Sequence, residues 1–202
     1  MLVNASNLSG TPILSMQDAS LVARISEAIV DPNTLKIIAF RVSGSPNGPT
    51  ADLLATSSIR EYSNYGMVID STDEFINSED VVKISEILSL NFDLIGLKVE
   101  SRKHAKIGKV VDYTLTSDNF EVQQIIVRRP LIKSFVDPTL TIHRREIVEI
   151  TDYKVIVKDD AKTIKARSEA EDFIPNFVNP FRNSEPNLAP ADTKTPADKD
   201  KK

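Results

Sequence analysis

The sequence predicts a mainly β protein in two similar tandem halves, joined by a short helix and followed by a disordered C-terminal tail. Three observations carry this. Short Val- and Ile-rich runs recur between turn residues. Three of those runs return in the same order in the second half. From about residue 167 the composition changes, and 185–202 lacks the apolar side chains that a core needs.

The strand-like runs lie at 21–29, 36–42, 65–69, 94–99, 108–115, 122–127, 140–142 and 153–157. β-branched residues bounded by Asp, Asn, Pro, Ser or Gly are the mark of short strands separated by turns. Asp31-Pro32-Asn33-Thr34 and Ser117-Asp118-Asn119 each separate two such runs. Proline presets φ and Asx side chains bond nearby backbone, so both read as hairpin turns. One stretch breaks the pattern: Val81, Ile84, Ile87 and Leu88 recur at helical spacing. The spacing predicts a linker helix near 79–89, capped by Asn77 or Ser78, with Glu79 and Asp80 at the positive end of its dipole.

The repeat has three blocks. Residues 24–29 (RISEAI) answer 106–111 (KIGKVV). After a slightly longer second turn, 35–42 (LKIIAFRV) answers 120–127 (FEVQQIIV). Finally 59–69 (IREYSNYGMVI) answers 147–157 (IVEITDYKVIV). Apolar positions fall on apolar positions throughout, so duplication explains the pattern better than coincidence. The expected division is 1–76 for the first domain, 77–91 for the linker helix, 92–165 for the second domain and 166–202 for the tail. Each half is about 80 residues, small for a separate core, which favours packing of one half on the other.

The tail ends in EPNLAPADTKTPADKDKK, where Leu188 is the one large apolar side chain. Such a segment cannot bury enough surface to offset its ordering entropy. Ahead of it, Phe173, Phe177 and Phe181 stand in a Pro- and Asn-bearing stretch. They either fold back on the protein's own surface or form an extended docking motif.

There is no cysteine among the 202 residues, which excludes disulfides, thiolate metal sites and Cys nucleophiles, and favours a cytoplasmic location. No signal peptide is expected from MLVNASNLSG, and no stretch approaches the ~20 apolar residues of a membrane span. Charge is uneven. Residues 1–90 hold five Lys/Arg against eleven Asp/Glu, and residues 91–165 hold fourteen against eleven.

The second half carries a resemblance. Leu94-Ile95-Gly96-Leu97-Lys98-Val99-Glu100, a polar turn over 101–106, Ile107-Gly108-Lys109-Val110-Val111-Asp112-Tyr113, the next hairpin strand and Ile142-His143-Arg144-Arg145-Glu146-Ile147 resemble the PRC-barrel family. The linker Asp80-Val81-Val82-Lys83-Ile84 is similar to that of double-PRC proteins. The resemblance covers most of 10–160. The first half departs from it: Ser26 stands where the second has Gly108, and the opening glycine is poorly matched. It implies two tandem small, strongly bent β-barrels used for docking or assembly, and implies no chemistry.

The search for chemistry agrees. His104 and His143 sit among cations, short of the three or four ligands a zinc site needs. No nucleophile elbow, phosphate loop or calcium-loop spacing is present. Asp73-Glu74 and Asp159-Asp160 read as solvated charge. No cofactor or metal is expected. The candidate binding residues are basic: Arg102, Lys103, Lys106 and Lys109; then Arg128, Arg129 and Lys133; then Arg144 and Arg145. Clustered cations suit phosphate. Exposed charge, or pairing with the acidic first half, is the simpler account, and the aromatic platforms of single-strand RNA readers are missing. The expectation is therefore a non-enzymatic adaptor that binds another protein through its barrel edges and through Phe173, Phe177 and Phe181. The alternative is an RNA- or ribosome-associated factor acting through the basic second half, with Arg128, Arg129, Lys133, Arg144 and Arg145 as its binding residues.

Overall fold

In the computed structural model, residues 1–48, 50–79, 81–130 and 138–159 are described. The fold is mainly β. Two curled sheets hold its strands, and Met1–Ala166 form one compact unit. The tail expectation falls on residues outside the described ones.

The first sheet contains β2 (Pro12–Ser15), β3 (Ser20–Asp31), β4 (Lys36–Ser43), β5 (Leu53–Ala55), β6 (Glu61–Ser63), β7 (Gly66–Ile69) and β8 (Phe75–Ile76). Its order is β6-β7-β2-β3-β4-β5-β8. The second contains β9 (Lys98–Ser101), β10 (Lys106–Thr116), β11 (Val122–Arg128), β12 (Thr139–His143), β13 (Ile147–Thr151) and β14 (Lys154–Val157), in the order β13-β14-β9-β10-β11-β12. The six shared positions are the same in both. The one parallel contact also recurs: β2 runs alongside β7, and β9 alongside β14.

Register extends the match to single residues. Ile13 lies opposite Ala23 and Met67; Val99 lies opposite Gly108 and Val155. The β3–β4 ladder slips between Ile25 and Glu27 and again between Ile29 and Val30. The β10–β11 ladder slips at the equivalent points, Val110/Asp112 and Thr114/Leu115. Three pairs of matching residues take positive φ: Gly10 and Gly96, Ala19 and His104, Leu35 and Phe120. For non-glycine residues this conformation is uncommon, so its recurrence marks the same backbone path twice.

These ladders correct the first repeat block. The counterpart of Gly108 is Ala23, and Ser26 matches Val111. The block was slid by three positions, which also produced the apparent extra turn length. Gly10, whose amide donates to the Ile25 carbonyl at 2.8 Å, holds the place in the first half that Gly96 holds in the second, where it donates likewise to Val110. The run at 94–99 contributes only its end to β9, because Gly96 turns the chain at φ +92°. Helix α1 spans Val82–Ser89. The expected side-chain cap is not made; Asn77 Oδ1 accepts from the Glu79 amide instead, forming a turn ahead of the helix.

The halves interlock. Strand β1 (Leu2–Asn4), at the start of the chain, pairs with Thr114–Thr116 at the end of β10. Ser6 anchors the following turn, donating to Asp112 from its hydroxyl (2.8 Å) and its amide (3.2 Å). Helix α1 crosses the other way, placing Ile84 against Ile29, Ala39 and Leu53 of the first sheet. Between the sheets the two hairpin tips pair with each other. The Ile37 amide donates to the Phe120 carbonyl and the Val122 amide to the Leu35 carbonyl, both at 2.9 Å. Lys36 and Glu121 face one another at the centre. One apolar cluster includes residues of both sheets. Phe120 packs edge-on against Phe40 (5.5 Å) and Tyr62 (6.5 Å) of the first half.

Candidate functional site: a cationic groove on the second sheet

Alternation along a strand puts every second side chain on the outer face. On β9 that face holds exposed Lys98, on β10 exposed Lys109, and on β11 exposed Arg128. Lys98 lies opposite Lys109, and Lys109 opposite Arg128. Lys154 of β14 lies opposite Lys98 on its other side. Four cations therefore stand in register across four neighbouring strands, spanning about 14 Å at the usual ~4.8 Å strand spacing.

Like charges directly opposite one another destabilise a sheet by roughly 0.2–1 kcal/mol per pair. Lys154 is relieved by Glu100, 3.5 Å away. Among the described residues, Lys98, Lys106, Lys109, Arg128 and Arg129 form no ion pair. The scaffold does not require this row. The matching positions of the first sheet are Gly66, Pro12, Arg24 and Ser43, one cation where the second sheet has four.

Three of the row, Lys98, Lys109 and Arg128, border a groove of about 910 Å³ that also takes in Ile95, Lys106, Val110, Val111, Arg129 and Pro130. Gly108 lies in it too. A methyl group there would meet the Arg128 carbonyl oxygen at 2.1 Å, so the bare backbone lets β10 close onto the end of β11.

The structure brings some expected residues together and separates others. Arg128 and Arg129 join Lys106 and Lys109 in the groove. Lys133, Phe173, Phe177 and Phe181 lie outside the described residues. Arg102 and Lys103 sit in the β9–β10 turn, where their amides are taken by the Val157 carbonyl and by Ser101 and Asp159. Arg144 and Arg145 are placed beyond β12, whose end at His143 faces Gln124, at the opposite end of β11 from Arg128. Arg144 is a brace between halves: it pairs with Glu121 and donates to the Thr34 carbonyl at 2.8 Å. Arg145 is exposed, 3.6 Å from Glu146. His143 Nδ1 accepts from the Arg145 amide and so caps a single helical turn. Lys98 and Lys154 are additions that the sequence reading missed. Their signal was the strand register.

Elsewhere, the Arg60 guanidinium holds the Asp70 carboxyl below the usual carboxylate range through two hydrogen bonds. Burial pushes the Tyr113 hydroxyl up. Among the described residues no group of three or more His, Cys, Asp or Glu is placed to hold a metal ion, and no helix is long and apolar enough to cross a membrane. In comparison with known proteins, no family model matches the chain and no curated sequence matches it.

Proposed function

We propose that the protein is a non-enzymatic docking module made of two tandem PRC-like barrels, the second of which holds a protein partner on its outer face. The cation row carries this reading. The two sheets share strand order, slips and positive-φ positions, which supports duplication of one small barrel. Against that common background, Lys98, Lys109, Lys154 and Arg128 stand out as a difference between the copies that costs stability. A cost confined to one copy is expected of a surface used for binding, because binding energy repays it. The motif resemblance of 94–147 to PRC barrels points the same way.

RNA is the second reading, favoured by the same cations, since phosphate contacts need clustered Lys and Arg. Site-specific photo-crosslinking in cells separates the two. A photoreactive residue at Ile95, in the groove, is compared with one at exposed Leu21, the first-half counterpart of the groove residue Lys106. Docking of a protein predicts nuclease-resistant protein adducts from position 95 and few from position 21. Nuclease-sensitive adducts from position 95 favour RNA, and equal yields from both positions reject the groove.

A further inference from the structure

We infer that the groove takes an extended acidic segment of a partner protein, in which carboxylates alternate with apolar side chains. This rests on the docking reading above and names its ligand.

The charge side follows from the row. Lys98, Lys109 and Arg128 stand on three adjacent strands with no ion pair among the described residues. They call for several negative charges in a line across the strands. Glu100 sets the direction. It is only partly exposed and is engaged with Lys154, so that end of the row is already neutralised. Unmatched positive charge lies toward Arg128 and Arg129, and carboxylates are drawn to that side. An extended peptide places same-face side chains about 7 Å apart, within reach of long, flexible Lys and Arg side chains.

The apolar side separates a peptide from a nucleic acid. Between and beside the cations the groove presents Ile95 (42% exposed), Val111 and Pro130. An extended chain with acidic residues on one face and aliphatic residues on the other satisfies both kinds of wall. A single-stranded nucleic acid gains most of its base contact from aromatic platforms, and none of the described residues that line this groove is aromatic. The volume, about 910 Å³, lies near the top of the range for compact ligand sites and suits a short peptide.

Fluorescence anisotropy on the full chain tests this with three labelled probes: an octapeptide of alternating Glu and Leu, one of alternating Glu and Ser, and a uridine decamer. The Glu/Leu peptide should bind at least about five-fold more tightly than the Glu/Ser peptide, since each apolar contact adds to a shared charge contribution. Lys109→Glu with Arg128→Glu should weaken it about ten-fold or more, as should the milder Lys109→Gln with Arg128→Gln in lesser degree. Arg24→Glu, at the first-half counterpart of Lys109, should leave it unchanged. Equal binding of the two peptides overturns the alternating-ligand inference while leaving protein docking intact. Tighter binding of the decamer, lost in the same double variant, overturns both. Absence of binding by every probe overturns the inference.

Discussion

At the residue scale, Gly108 separates two demands that glycine can answer. A glycine at a strand start marks either a left-handed backbone or a close backbone approach, and Gly108 does not take a positive φ. It is required because the Arg128 carbonyl leaves no room for a Cβ. Gly108→Ala should therefore cost about 1–3 kcal/mol, the usual range for overpacking, whereas Ser26→Val, at an exposed position, should cost well under 1 kcal/mol. Denaturant titration of the two variants checks this, and equal small losses would refute the close-approach account. Lys109→Glu should act in the opposite sense. It turns two like-charge cross-strand neighbours into opposite-charge pairs and should stabilise the fold by about 0.2–1 kcal/mol, more at low salt than at high. Asp70 adds a pH signature. Its folded pKa is depressed, so its contribution is present above the ordinary carboxylate pKa and is lost as pH falls through the folded value. Wild type should exceed Asp70→Asn in stability at neutral pH, and the gap should close on acidification below about pH 4.

At the scale of elements, the sequence was legible where strands are long and buried. β3, β4, β10 and β11 stood out as Val- and Ile-rich runs bounded by turn residues, and the second and third repeat blocks fall on matching ladder positions. β1, β2, β5, β6, β8 and β13 were not among the strand-like runs. Each has two to five residues, too few to establish a period, and Pro12 masks β2. The register slips were also invisible, since a bulge inserts one residue without changing composition. The cross-strand register that sets Lys98 and Lys154 beside Lys109 was not legible for the same reason. β1 gives the sharpest element-level prediction. Removing Met1–Asn4 should deprotect Ser117, whose amide donates to the Met1 carbonyl at 2.9 Å, and should loosen Thr114–Thr116. Hydrogen exchange reads this out; unchanged protection there would mean that β1 does not brace the second sheet.

On the scale of the whole molecule, the interlocked halves should unfold together. Phe120 of the second half is buried against Phe40 and Tyr62 of the first, and one apolar cluster runs through both. Phe120→Ala should cost about 3–5 kcal/mol and leave a single transition, with probes in both sheets moving in step; two separated transitions would show independent halves. The two sheets share one core and differ on their outer faces, and among the described residues the line of cations lies on the second. The central claim, that this face docks an acidic protein segment, is tested most directly by amide NMR of the full chain titrated with the alternating Glu/Leu peptide. The account predicts that shifts concentrate at Ile95, Lys98, Gly108, Lys109 and Arg128, while Ala23, Arg24 and Ser43, the counterparts of the last three, stay still. Shifts spread equally over both sets, or confined to the first half, would contradict it.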